Sequence, residues 1–213
     1  MRILALDAAL ARLSATLVTD GVLVCARMAA PVRGQQGMLA AMAADVLDGH
    51  SFDAVAVTVG PGSFTGLRGA IALAHGLATG GRKVIGVTVA EALADAVGPT
   101  DGRTLWTAIA SRPGRVFLDI DGRLAGHALS GLPHPPGPVA VAGDAAIAVA
   151  AILAGRGFDV RLTDARLPLG AGVAAVASRR LAGLIAPLEA QPLYVDPPEA
   201  RLPAGGLRPP PLA

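Results

Sequence analysis

The sequence predicts an α/β protein made of two similar halves. Short apolar runs of the strand type alternate with Ala- and Leu-rich stretches at helical spacing. Asp-Gly pairs at Asp20-Gly21 and Asp121-Gly122 mark tight hairpins at corresponding places. The order strands, helix, strand, helix runs once through residues 1–100 and again through residues 101–190, as a duplicated α/β unit would.

In the first half the chain reads as strands Arg2–Leu6, Leu13–Thr19 and Val22–Arg27, the last two joined at Asp20-Gly21. A helix Gln35–Leu47 follows, then a strand Ala54–Val59, a helix Phe64–Thr79, a strand Lys83–Val87 and a helix Ala90–Val97. The second half starts with strands Leu105–Ile109 and Arg115–Ile120. It continues with strand Val139–Ala142, a turn at Gly143-Asp144, a helix to Leu153, strand Phe158–Leu162 and helix Ala171–Ile185. Residues 191–213 form a Pro-rich extension, which argues for an extended chain there.

Composition narrows the function classes. Of 213 residues 53% are hydrophobic and only 16% charged, enough for a substantial core with apolar surface left for a partner. The formal net charge is +2, Lys83 is the sole lysine, and no basic run is longer than two residues, as at Arg179-Arg180. With six scattered aromatics (four Phe, one Trp, one Tyr), neither a base-stacking platform nor a phosphate-binding stripe is indicated. The single Cys25 excludes an intramolecular disulfide and a cysteine metal cluster, fits a reducing cytoplasm, and sits in a strand pattern as a buried thiol. Asp7 breaks the apolar N-terminal run, which argues against a signal peptide, and the apolar stretch Ala145–Ala154 is too short for a membrane span.

The densest motif is "VTVGPGSFTGLRGAIALAHGLATG", residues 57–80, a glycine turn that runs straight into a helix. Gly62 and Gly66 lack the spacing and the lysine of a nucleotide-triphosphate loop, and Pro61 and Thr65 flank Ser63 where a hydrolase elbow needs glycines. Ser63 is expected to cap the helix, and Gly60, Gly62, Ser63, Thr65 and Gly66 together form a structural turn. An anion at the helix N-terminus is the competing use. His50, His75, His127 and His134 never fall at metal-ligand spacing, so no metal site is expected. Asp7, at the end of the first strand, reads either as a phosphate-proximal or metal-holding carboxylate or as a turn-forming Asp.

On a helical wheel Leu67, Ala70, Ile71, Leu73, Ala74 and Leu77 share one arc, expected to lie on the sheet. Arg68, His75 and Thr79 occupy the opposite side, beside a stripe of Gly69, Gly76 and Gly80. Each glycine inside a helix costs about 1 kcal/mol relative to alanine, so this stripe calls for close approach by something. In the preceding helix Leu39, Met42, Val46 and Leu47 form one arc, and Ala40, Ala41 and Ala44 a second, interrupted by Asp45 and Asp48. Such a helix is covered on two sides. Either the two helices cover each other, or together they present a face to another chain, with Met38 and Met42 as adaptable contacts.

"RILALD", "PVRG", "GPGSFTGLR", "GVTVAEALA" and "PLYVDPPEARLP" resemble, in this order, the TsaB (YeaZ) family of bacterial threonylcarbamoyladenosine-synthesis proteins. The resemblance implies an actin/sugar-kinase/chaperone-ATPase-like (ASKHA) fold and a non-catalytic, cytoplasmic role without cofactor. It implies pairing with TsaD, which transfers threonylcarbamoyl to adenosine at tRNA position 37, and through it with the ATPase TsaE. The pairing surface would be the first-half helices: Met38, Ala41, Met42 and Asp45 from one, Arg68, Gly69, Ala72, His75 and Gly76 from the other. The same helices would serve a homodimer, with tRNA contacted indirectly or weakly. Ala8 and Ala9 stand where the family usually has hydroxyls, Gln35 where a histidine is common, Ala110 and Arg115 where acids are usual, and Asp196 in place of a customary arginine; Arg112 is kept. An ATP-using enzyme of the sugar-kinase type is the alternative, and a peptidase stands behind it without a metal motif or a Ser/His/Asp arrangement.

Overall fold

The computed structural model describes residues 1–30 and 37–195. The expected helix start at Gln35, the "PVRG" stretch, Asp196 and the end of the Pro-rich extension lie outside the described residues.

Among the described residues ten strands form two five-stranded sheets of identical topology. Sheet one contains β1 (Arg2–Asp7), β2 (Leu13–Thr19), β3 (Val22–Ala29), β4 (Ala54–Gly60) and β5 (Lys83–Thr88), in the order β3-β2-β1-β4-β5. Sheet two contains β6 (Thr104–Ala110), β7 (Arg115–Ile120), β8 (Arg123–Ala128), β9 (Val139–Ala142) and β10 (Val160–Leu162), in the order β10-β9-β6-β7-β8. In each, three antiparallel strands are followed by two that run parallel to the first. The duplication expected from element order is therefore present strand for strand. Both Asp-Gly hairpins are as expected: Asp20, Gly21, Asp121 and Gly122 all have positive φ, the backbone that two-residue turns between twisted strands require.

Among the described residues five α-helices accompany the sheets: α1 (Met38–Leu47), α2 (Phe64–Leu77), α3 (Val89–Val97), α4 (Ala146–Gly155) and α5 (Gly170–Leu181). The halves differ in one respect. Where α1 follows the third strand of sheet one, the second half has only a 3-10 turn at Leu129–Gly131. The Asp121-Gly122 hairpin leads into β8, which has no strand range in the sequence pattern and pairs antiparallel with β7.

β1 is apolar at consecutive positions because it is covered on both faces, and its side chains alternate between two cores. Leu4 and Leu6 join Val55 and Val57 under Leu39, Val46, Ile71 and Ala74 of α1 and α2. Ile3 and Ala5 point the other way, to Val173, Val176 and Ala177 of α5. So α5, which chain order assigns to the second half, packs on β1, β2, β4 and β5 of the first. Two glycines permit that crossing. A Cβ on Gly170 would fall within 3.0 Å of the Thr16 side chain, and one on Gly172 would lie 3.1 Å from the Ala92 carbonyl oxygen. Thr88 and Glu91 close a capping box at the start of α3, and Glu91 also accepts from Arg180 of α5 at 2.5 Å.

Residues 188–194 return to sheet one. The Gly86 N–H of edge strand β5 donates to the Leu188 carbonyl at 3.0 Å, and the Leu193 N–H donates to the Val59 carbonyl at 2.8 Å. A Cβ on Gly86 would fall within 3.0 Å of the Glu189 carbonyl oxygen, so glycine is needed where this strap crosses. Among the described residues no helix is long and apolar enough to cross a membrane.

Candidate functional site

The glycine turn of residues 60–66 connects β4 to α2. Ser63 caps α2 as expected, its Oγ accepting from the Gly66 N–H at 3.2 Å. The Ser63 N–H donates to the Ala9 carbonyl at 2.7 Å. Cβ atoms on Gly62 and Gly66 would lie within 3.0 Å of the carbonyl oxygens of Ala9 and Ala8 respectively. These glycines therefore admit the backbone of the β1–β2 connection, and the amides of Ser63 and Gly66 are already engaged by the chain itself. Gly60 has φ +121°, and a Cβ there would sit 3.2 Å from both the Leu193 carbonyl oxygen and the Leu67 side chain. Thr65 is exposed at the start of the helix.

The outward face of α2 carries Arg68, Gly69, Ala72, His75 and Gly76, all exposed, while Leu67, Ala70, Ile71 and Ala74 are buried on the sheet. Among the described residues nothing lies within 4 Å of a Cβ built on Gly69 or Gly76. The described residues give no packing reason for these two helix-interior glycines, in contrast to Gly62 and Gly66. On α1, Ala40, Ala41, Ala44 and Asp45 are exposed in the same way. Met42 departs from expectation: it is only 7% exposed and belongs to the core, with Met38 half-buried against it. Both methionines point to the sheet because they lie on the Leu39 and Val46 side of the helix, which the apolar core claims first.

The strap borders α2 on one side. His75 Nε2 lies 3.2 Å from the Ala190 carbonyl oxygen. Arg68 donates from Nε and Nη2 to the Tyr194 hydroxyl at 3.1 and 2.9 Å, and its guanidinium carbon sits 4.0 Å above the Phe64 ring centroid. Phe64 and Tyr194, 57% and 55% exposed, form a tilted pair with ring centroids 6.2 Å apart. Helical spacing identifies Arg68 and His75 but not their intramolecular partners, which lie more than 100 residues away. The only local signal was Leu188, Leu193 and Tyr194 punctuating a Pro-rich stretch.

A cleft of about 560 Å³ lies between the halves, lined among others by Ala9, Leu10, Ser63, Ser111, Arg112 and Asp144. Asp144 accepts from the Ala110 N–H at 2.8 Å, and burial raises its carboxyl pKa against the pull of that bond. Asp7 is not presented to this space. It is 1% exposed, and its Oδ1 accepts from the Thr58 hydroxyl at 2.6 Å and the Ala9 N–H at 3.1 Å. The bond to an amide two residues on is that of a turn-forming Asp. Oδ2 is buried with no hydrogen-bond partner among the described residues, and desolvation raises the carboxyl pKa, opposed by the Thr58 and Ala9 bonds and by Arg12. Cys25 is half-buried, with its Sγ accepting from Arg27 at 3.3 Å. Among the described residues no group of three or more His, Cys, Asp and Glu is placed to hold a metal ion.

Two mixed sheets of the same order, with crossing helices and a cleft between them, define the actin/sugar-kinase/chaperone-ATPase-like fold. The family model of TsaD, tRNA N6-adenosine threonylcarbamoyltransferase, matches residues 38–154, more than half of the chain. Among solved structures, a Pseudomonas aeruginosa protein described as similar to peptidase YeaZ superposes with a TM-score of 0.75 at 24% identity, over 92% of this chain and 99% of that one. YeaZ from Pseudomonas aeruginosa superposes with a TM-score of 0.72 at 26% identity, over 91% of this chain and 99% of its own. Component A of (R)-2-hydroxyglutaryl-CoA dehydratase from Acidaminococcus fermentans shares the fold alone, with a TM-score of 0.50 at 12% identity over 86% of this chain and 99% of that one. No curated protein matches the chain. The chain belongs to the TsaD family, and it is similar in fold to the YeaZ proteins of Pseudomonas aeruginosa.

Proposed function

We propose that this chain is a non-catalytic subunit that supports a TsaD-type transferase in forming threonylcarbamoyladenosine at tRNA position 37, in the cytoplasm and without a cofactor of its own. The family membership supports the pathway. One observation carries the role: Gly69 and Gly76 lie on the exposed face of α2, and among the described residues nothing stands where their side chains would begin. A helix closing on Ala72 between them can bring its backbone to about 8 Å, the short end of helix packing distances. The exposed alanines of α1 extend this small-residue surface. A TsaE-type ATPase would join through the transferase, and the same face would serve a homodimer of the free chain.

The competing reading is an ATP-using enzyme of the sugar-kinase type, and the cleft containing Asp144 is the observation in its favour. Against it stand Ala8 and Ala9, which supply no hydroxyl, the engaged amides of Ser63 and Gly66, and the burial of Asp7.

Mixing the purified chain with the TsaD-type subunit from the same cell and sizing the mixture tests the proposal. Co-elution is expected for the wild-type chain. Ala72→Arg should elute apart from the transferase while keeping its circular dichroism spectrum, because the new charge would be buried unpaired in the contact. A folded Ala72→Arg protein that still co-elutes would place the contact elsewhere.

A further inference from the structure

Arg68 differs from an ordinary surface arginine in being held from two sides. Its guanidinium stacks on Phe64 at 4.0 Å and donates twice to the Tyr194 hydroxyl, which the strap brings from 126 residues away. The strap is anchored beside α2 by the Leu193 N–H, which donates to the Val59 carbonyl, and by Leu193 itself, which packs against the core of sheet one. A long side chain that would lose much rotamer freedom on binding has therefore lost most of it beforehand. The group remains exposed, next to Gly69 and Ala72, beside the Phe64–Tyr194 ring pair. Tyr and Arg in such a cluster are the residue types that dominate protein contacts.

We propose that Arg68, braced by Phe64 and Tyr194, takes a carboxylate from the helix that docks on α2, and so sets the register of that helix along the Gly69, Ala72, Gly76 stripe. The inference rests on the docking face assigned above. A planar guanidinium meets a carboxylate through two parallel hydrogen bonds, which fixes position as well as sign. A nucleic-acid backbone is the weaker fit, because phosphate tracking needs several cations, and Arg68 is the sole Lys or Arg within residues 64–77 and 186–195.

The experiment measures affinity of the full chain for the purified TsaD-type subunit, with Arg68→Lys, Arg68→Ala, Arg68→Glu, Tyr194→Phe and Ala72→Arg beside wild type. Exchange of the Leu193 amide, read on each free protein, reports whether the strap stays seated. Arg68→Lys keeps the charge but loses the fork and should weaken binding at least tenfold with Leu193 exchange unchanged. Arg68→Ala should do as much or more, and Tyr194→Phe should weaken binding about threefold. Loss caused by Arg68→Glu should be restored by an acid-to-Arg change on the partner's docking helix. Wild-type affinity of both Arg68→Lys and Arg68→Ala, with Ala72→Arg unable to bind, would overturn the assignment and leave the docking face standing. A folded Ala72→Arg protein with normal affinity would remove the face and Arg68 with it. Loss of affinity only in variants whose Leu193 amide exchanges faster would make Arg68 a strap anchor, and weaker tRNA binding at unchanged partner affinity would make it an RNA contact. Either result overturns the proposal.

Discussion

The Ala9 carbonyl oxygen occupies the space in which a side chain on Gly62 would begin, less than 3.0 Å from where its Cβ would stand. The same oxygen accepts the Ser63 N–H at 2.7 Å, so moving it away would break a hydrogen bond. Backbone against backbone cannot yield by changing a rotamer. Gly62→Ala and Gly66→Ala should each destabilise the chain by about 1–3 kcal/mol, the usual cost of overpacking, as read by urea unfolding. Ser63→Ala, which only removes the cap, should cost about 1 kcal/mol. Unchanged midpoints for both glycine variants would mean that the β1–β2 connection moves freely.

Gly69 and Gly76 should respond in the opposite direction. With no atom near either Cβ position among the described residues, alanine removes only the conformational cost of helical glycine. Gly76→Ala should raise stability by roughly 0.5–1 kcal/mol. If the stripe receives a partner helix, the same variant should bind the TsaD-type subunit more weakly. A more stable protein with undiminished binding would separate the stripe from the contact.

Asp7 makes stability depend on pH in a stated direction. Its carboxyl pKa is raised above the ordinary 3.8 in the folded chain, chiefly by burial, so the folded state resists ionisation. The favourable contribution of the protonated form is full below pH 3.8 and is lost as pH rises through the folded value. Asn at this position keeps the acceptor for Thr58 and Ala9 and carries no charge. Asp7→Asn should therefore be more stable than wild type near neutral pH, by on the order of 1–3 kcal/mol, with the difference shrinking toward acid. An equal difference at both pH values would show that charge is not its source.

Nucleotide should bind the isolated chain weakly and turn over negligibly, because the turn's own backbone uses amides that a phosphate would need. Calorimetry with ATP and magnesium tests this. Micromolar binding with turnover that disappears in Asp144→Ala would move the assignment to the sugar-kinase type.

Depleting the chain from its cell should lower threonylcarbamoyladenosine in tRNA to the level seen with an inactive TsaD-type subunit. Mass spectrometry of digested tRNA gives the readout. Undiminished modification after thorough depletion, with no second copy of the gene product, would remove the chain from the pathway.

Much of this was legible from local pattern alone. Periodicity separated the sheet-facing Leu67, Ala70 and Ile71 from the exposed Arg68 and His75, because a helix repeats its own faces whatever it packs against. Asp-Gly pairs located both hairpins, since few other residues accept positive φ at both turn positions. Ser63 announced the start of α2 through the donors every helix leaves open. Tertiary structure decided the rest. Two glycine sets that look alike in the sequence part company: Gly62 and Gly66 are filled by carbonyls more than fifty residues upstream, and Gly69 and Gly76 by nothing described. Met42 shares an arc with Leu39 and Val46, but which of the two apolar arcs of α1 meets sheet one was settled only by the packing. The burial of Asp7, the crossing of α5 onto the first half and the bracing of Arg68 by Tyr194 join residues far apart in the chain. Local sequence encodes the faces of an element, and only the folded chain determines which atoms arrive at them.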